Sequence, residues 1–377
     1  MTPGMLAILA GLVLLLPAAG PACAADAGAI MTGPPGSTSV RFGQDIAGLA
    51  RRFGVALEVV PSQGGLENIE ALVQRPDARL AIVQADALDF LATFPDDPEL
   101  RRRAELLQVA GPLHAEEVHV LARPGIATLA DLRGKRVAVG APGSGTLLTA
   151  TLLLDAADVA PGAALRLGDA EALAALRAGR VDAMVHVAGQ PAPLLKDTVA
   201  IEDALHLVPV DQPALRELYP AAAIPADTYY PWQPEEVPTV ALQAVLVTLR
   251  WTSEEGAACR LVGKVARIVA DNLGRLRRQG HPKWREVEFE AEGPAGWERS
   301  PCVVQALVGP EGYALGGPEA EAAPAGVPPS PPLEVRTAPP PEHAAEPSAA
   351  SARACSAEGD PVRRRLCEIR RELGAEP

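Results

Sequence analysis

The sequence predicts an α/β chain with material for two lobes, each a mostly parallel sheet covered by helices, on three observations. Short β-branched runs alternate with helical periods from Ala29 to about Gly309. The 377 residues, 48% hydrophobic and 21% charged, suffice for two cores. Both ends differ in composition from the stretch between them.

Ile46, Leu49, Ala50 and Phe53 recur with helical spacing and predict a helix, after which Leu57 to Val60 reads as a strand. Beyond the turn at Pro61 to Gly65, Leu66, Ile69, Leu72 and Val73 mark a second helix, and Leu80 to Val83 the next strand. Val118 to Ala122 and Arg136 to Gly140 read as strands, Thr146 to Ala157 as a helix, Leu165 to Leu167 as a strand and Glu171 to Ala178 as a helix. Ala183 to Val187 and Leu205 to Val208 are strands, and Val240 to Leu249 is a long one. Ser253 to Asn272 reads as a long helix with Ser253 at its N-cap.

The first 25 residues read as a secretory signal: an apolar run from Met5 to Leu16, a break at Pro17 to Gly20, then Ala22-Cys23-Ala24-Ala25 as an A-x-A cleavage site. The run falls short of the roughly 20 residues that span a bilayer as a helix, so removal and soluble export to the periplasm are expected. The rival is a lipoprotein acylated at Cys23, for which Pro21 just before the small residue is a poor context. No later segment approaches span length, which leaves membrane passage to partner chains. At the other end, residues 310–350 read as a Pro/Ala-rich disordered linker, with Pro328-Pro329-Ser330-Pro331-Pro332 and Pro339-Pro340-Pro341 favouring polyproline II. Residues 351–377 form a tail with one helix candidate, Asp360 to Leu373.

The net charge of −13 argues against a nucleic-acid surface, which needs clustered Lys and Arg; the arginine runs at 101–103 and 363–365 are short and sit among acids. Removing the leader takes five cysteines to four, an even count that suits disulfides in an oxidising compartment. Three pairings exist, and spacing favours Cys259 with Cys302 and Cys355 with Cys367. No C-x-x-C occurs.

Three stretches carry a resemblance: Val59-Val-Pro-Ser-Gln-Gly-Gly-Leu-Glu-Asn68, Leu80-Ala-Ile-Val-Gln-Ala-Asp86 and Gly134-Lys-Arg-Val-Ala-Val-Gly-Ala-Pro-Gly-Ser-Gly-Thr146. With Glu117 to Val120 and Thr128 to Leu132 between them, in this order, the chain resembles the TAXI-type, NMT1-like receptors of tripartite (TRAP) transporters over about residues 29–305. The resemblance implies a type II periplasmic-binding-protein fold: two lobes joined by two hinge strands, closing on a small carboxylated solute, either an amino acid such as glutamate or an organic acid. It places lobe one at 26–118 plus 232–309 and lobe two at 119–231, with crossing segments near Val118 to Arg123 and Tyr229 to Val240. It also implies a membrane permease as partner, driven by an ion gradient.

Gly140 to Thr146 follows a strand and opens a helix, whose unsatisfied N–H groups and dipole suit a carboxylate. Gly143 and Gly145 permit close approach while Ser144 and Thr146 add hydroxyls; the plain alternative is an N-cap turn. A P-loop is excluded because no Lys follows the last glycine, and a nucleophile elbow because Pro142 and Thr146 stand where glycines are needed. Ser62 to Asn68 is a second strand-to-helix turn that would face the first across the cleft, with Ser62, Gly65 and Asn68 as contacts, or with Ser62 and Asn68 merely capping the turn; the family often carries serine at the place of Gly65. Gln84 and Asp86 end a strand where ligands of parallel sheets gather; Asp86, with Glu67 as the alternative, is an acceptor for a ligand ammonium or else a helix cap. Gly36, Ser37 and Thr38 are candidates in a loop that departs from the family's more glycine- and tyrosine-rich one. Gln190 is placed to close over a ligand and His186 to sense protonation, while Tyr229, Tyr230 and Trp232 either wall the ligand, Tyr230 foremost, or pack the hinge. His114, Glu117 and His119 are separated by the strand and do not make a metal site. No acid-base pair stands out and no cofactor is expected. The chain is thus expected to capture a solute, not to transform it; the alternative is a periplasmic sensing or scaffold protein acting through its cleft and tail.

Overall fold

The computed structural model describes residues 26–93, 97–251, 256–310 and 312–314. The leader, most of the linker, the tail and its proposed Cys355–Cys367 pair lie outside the described residues. The first half runs β1 (Asp26–Met31), α1 (Thr38–Arg51), β2 (Val55–Val60), α2 (Gly65–Gln74), β3 (Ala78–Gln84), α3 (Ala85–Thr93), α4 (Pro98–Leu106) and the long β4 (Leu107–Ala122). Next come β5 (Arg136–Ala138), α5 (Gly145–Ala156), β6 (Ala163–Leu165), α6 (Asp169–Arg177), β7 (Ala183–Ala188), α7 (Pro193–Thr198), β8 (His206–Val208), α8 (Pro213–Leu218) and β9 (Ala221–Ile224). The chain returns through β10 (Val237–Leu249), then α9 (Ala257–Asp271), α10 (Leu273–Gln279) and α11 (Pro301–Val308).

Local chemistry sets the helix starts. The Ser37 hydroxyl accepts from the Val40 N–H and caps α1, Asp97 caps α4 ahead of Pro98, and Ser144 caps α5 by accepting from Leu147 N–H. The helix expected from Ser253 begins instead at Ala257, with Gly256 at its N-cap and no side-chain cap bond; Ser253 itself lies outside the described residues.

The strand order is β2-β1-β3-β10-β4-β7-β5-β6, with β8 on β4 and β9 on β10. Parallel pairing, as the βα succession predicts, occupies the two flanks: β1 with β2 and β3, β5 with β6 and β7. Every antiparallel pairing involves β4 or β10. These two strands cross between the lobes. Leu107 and Val109 at the start of β4 pack with the first lobe, and Val118 and Val120 with the second. On β10, Leu242 belongs to the second lobe and Ala244 to the first. This is the two-lobed type II periplasmic-binding-protein fold.

Each lobe buries apolar side chains on both faces of its sheet, as strands sandwiched between helices must. In the first lobe, Phe42, Ile46 and Trp284 fill one face beneath α1 and α9, and Ile69, Leu88 and Leu91 the other beneath α2 and α3. In the second, Val137 and Leu153 lie on one face and Leu176 and Met184 on the other. A disulfide joins Cys259 of α9 to Cys302 of α11, with 5.2 Å between their Cα atoms. No helix among the described residues is long and apolar enough to cross a membrane.

Candidate functional site

A crevice opens between the lobes beyond the carboxyl ends of β1, β3 and β7, where open parallel sheets gather ligands. The first lobe contributes Thr32, Gly33, Ser37 to Ser39, Gly64, Gly65 and Gln84; the crossing strand contributes Glu116; the second lobe contributes Ser144 to Thr146, Asp169 and His186. Its volume is about 40 Å³, room for a few waters and far below the roughly 300–1,000 Å³ of pockets that take drug-sized ligands. A larger solute enters only as the lobes part.

The lobes touch through the two glycine turns named from the sequence. The Glu67 N–H donates to Gly143 O across the gap at 3.2 Å. A Cβ on Gly65, whose φ of +45° already favours glycine, would lie 2.6 Å from Gly145 N, and one on Gly145 would fall 1.4 Å from Gln84 Oε1. Thus the N-termini of α2 and α5 meet backbone to backbone, and both positive helix ends face the same crevice. Gly65→Ala, whose Cβ meets the Gly145 backbone of the other lobe, is therefore expected to hold the lobes apart with the fold intact. Small-angle X-ray scattering should show a larger radius of gyration than the parent chain's, at unchanged circular dichroism.

The other named residues divide between the crevice and its frame. Thr38 lines the crevice and its hydroxyl donates to Gly189 O at 2.8 Å, tying the lobes together. Gly36 stands exposed in the turn outside it. Ser62 and Asn68 do not reach the crevice; the Ser62 hydroxyl donates to Asn68 Oδ1 at 2.5 Å and accepts from Gly64 N–H, while Asn68 Nδ2 donates to Thr32 O and Ile82 O. They clamp the ends of β1 and β3, the cap alternative raised from the sequence. Ser144 lines the crevice, but its hydroxyl is already engaged with Leu147 N–H and Ala141 O. The Thr146 hydroxyl accepts from Val187 N–H.

Asp86 lies outside the crevice lining and is buried between the lobes. Its Oδ2 accepts from the Thr149 hydroxyl at 2.6 Å and from Tyr219 OH at 3.3 Å, both on the second lobe. Burial pushes its pKa up to about 7, against the opposing bonds from Thr149 and Tyr219. Gln190 also stays outside, its amide donating to Ala223 O and its N–H to Glu117 Oε2. Tyr230 is 68% exposed and away from the site. Tyr229 is the buried aromatic: it stacks on Trp232, its OH lies 2.8 Å from His119 Nε2, and it accepts from Ala192 N–H. This cluster packs the second lobe beside the crossing strand. Burial, with the neighbouring His186, depresses the His119 pKa to about 3.

Two lining carboxylates were not singled out from the sequence. Glu116 Oε2 accepts from Gln84 Nε2 at 2.7 Å and Oε1 from the Ser39 hydroxyl at 3.1 Å, with His114 Nε2 at ion-pair distance, 3.5 Å. Burial raises its pKa, but His114, Gln84 and Ser39 together bring it below the ordinary glutamate value. Asp169, at the start of α6, lies 3.2 Å from His186 Nδ1. Burial works against that pair too, yet Asp169 is held low and His186 high by each other. The available signals were an acid inside a buried strand and an acid just beyond the end of β6.

A polar crevice between two α/β lobes, framed by helix N-termini and two crossing strands, is a place to enclose a small polar molecule. The chain belongs to the NMT1-like family, whose pattern it matches over residues 30–292. Among solved structures it is similar to the substrate-binding protein of an amino acid ABC transporter, at 15% identity, 69% of this chain, 96% of that chain and a TM-score of 0.41. It is also similar to the periplasmic binding protein BugD (13%, 69% and 84%, 0.44) and to MatC from Rhodopseudomonas palustris with bound malate (19%, 66% and 84%, 0.43). Likenesses this distant carry no argument about ligand.

Proposed function

We propose that this chain is an extracytoplasmic solute-binding receptor: it captures a small carboxylated solute between its lobes and delivers it to a TRAP-type membrane permease. The observation that carries this reading is the convergence of the α2 and α5 N-termini on one interlobe crevice, where a carboxylate meets two positive helix ends. Gly65, Gly145 and Thr146 approach the solute most closely, and β4 and β10 carry the hinge motion. In this proposal the lobes divide within β4 at about Val118 and within β10 between Leu242 and Ala244, later than the 232 expected from the resemblance; the leader ends at residue 25, the mature chain works in the periplasm, and no step of chemistry follows capture.

A thermal-shift screen of the ligand-stripped chain against amino acids and small organic acids tests the proposal. A solute at a hundred times its dissociation constant stabilises the chain by about 2.7 kcal/mol, a visible rise in melting temperature. Absence of any shift across the panel refutes capture of this solute class.

A further inference from the structure

The charged side chains of the crevice bear on what enters it if it is the solute site proposed above. Its lining includes the carboxylates of Glu116 and Asp169 and no lysine or arginine. Asp169 is balanced by His186. Glu116 accepts from two neutral donors, the Gln84 amide and the Ser39 hydroxyl, with His114 Nε2 at 3.5 Å behind it. Those two bonds leave part of the carboxylate's acceptor capacity unused, since a carboxylate offers about four lone-pair sites.

A second observation points the same way. Because Gln84 spends its amide nitrogen on Glu116, its Oε1 turns toward Gly145, where it is buried without a hydrogen-bond partner. Gln84 is itself 9% exposed and lines the crevice. A buried orphan acceptor is destabilising until a donor arrives. The Glu116 oxygens and Gln84 Oε1 belong to one hydrogen-bonded pair, so one donor-rich group can serve both.

We propose that the crevice selects solutes bearing an ammonium group, which donates to Glu116 and to the unpartnered Gln84 carbonyl, and rejects carboxylates that lack one. An ammonium brings three donors and no acceptor, and its charge offsets that of Glu116. The carboxylate of a zwitterion meets the helix N-termini at Gly65 and Gly145. A dicarboxylate brings more negative charge beside Glu116 and leaves the Gln84 oxygen unpaired. This narrows the proposed solute to the amine-bearing half of its class.

Isothermal titration of the ligand-stripped full chain with matched pairs decides the matter: glycine against acetate, L-alanine against propionate, L-glutamate against glutarate. The amine-bearing member of at least one pair is expected to bind about 100-fold or more tighter than its counterpart, because sites built to receive N–H donors reject analogues lacking them strongly. Glu116→Gln should shrink that ratio about tenfold or more; the comparison on the unaltered chain stands even if the variant fails to fold. Equal or tighter binding of the amine-free member in the pairs that bind overturns the inference while leaving the receptor reading in place. An unchanged ratio in the folded variant overturns the assignment to Glu116. Binding of neither member of any pair overturns the inference together with the reading on which it rests.

Discussion

Lys283→Met is expected to cost the fold about 3–5 kcal/mol, the loss that follows when one partner of a buried ion pair is removed. Lys283 and Glu117 are 6% and 3% exposed, with Nζ 2.5 Å from Glu117 Oε1 and 3.1 Å from both Glu286 oxygens. Glu117 Oε2 accepts from Gln190 N–H on the second lobe, so this carboxylate fastens the crossing strand to both sides. Burial already raises the Glu117 pKa and Lys283 opposes that rise. Without the lysine the carboxylate is left charged and unpaired. A raised folded pKa means stability is lost as pH climbs through it, so the variant's deficit should be larger at pH 8 than at pH 5. Urea denaturation at both values measures it, and Lys283→Met combined with Glu117→Gln should recover much of the loss. A deficit below about 1 kcal/mol, the scale of an exposed pair, contradicts this account.

Asp86→Asn is expected to make the protein more stable above neutral pH. The Asp86 pKa rises from 3.8 in the open chain to about 7 when buried, with Asp89 and Glu116 adding negative charge nearby and Thr149 and Tyr219 donating to it. The fold is favoured in full while the group is neutral, below pH 3.8, and this contribution is lost as pH rises through about 7. At about 1.4 kcal/mol per pH unit, the loss amounts to about 4 kcal/mol by pH 8. Asparagine keeps an oxygen for the Thr149 hydroxyl and carries no charge. The variant should match the parent near pH 4 and exceed it by about that amount at pH 8; a stability difference that does not vary with pH contradicts the burial of an ionisable Asp86.

Much of this framework was legible in the sequence because its signals are local. Glycine turns between an apolar run and a helical period mark Gly64-Gly65 and Gly143 to Gly145 whatever surrounds them, and β10 announces itself as a long β-branched run. The first half of β4 was missed because Gly111, Pro112, His114, Glu116 and Glu117 interrupt the apolar pattern of a strand. They form a strand because β10 pairs along them, with register shifts that accommodate the irregular stretch. The site was less legible than the fold. Ser62 and Asn68 have the chemistry of ligand contacts, and only their mutual bond and the carbonyls of Thr32 and Ile82 show that their capacity is spent within the protein. Asp86 shares a strand end with Gln84, yet the two side chains part, one into the lobe interface and the other into the crevice. Glu116 and Asp169 lie far apart in sequence, and only the crossing of β4 brings them to one wall.

The measurement that tests solute capture between the lobes most directly is the thermal-shift panel run in parallel on the parent chain and on Gly65→Ala. A solute that raises the melting temperature of the parent and leaves that of the variant unchanged is the predicted result, since a Cβ at 65 meets the Gly145 backbone of the other lobe at 2.6 Å and blocks closure. Equal stabilisation of both chains would put the solute elsewhere on the protein and contradict the account.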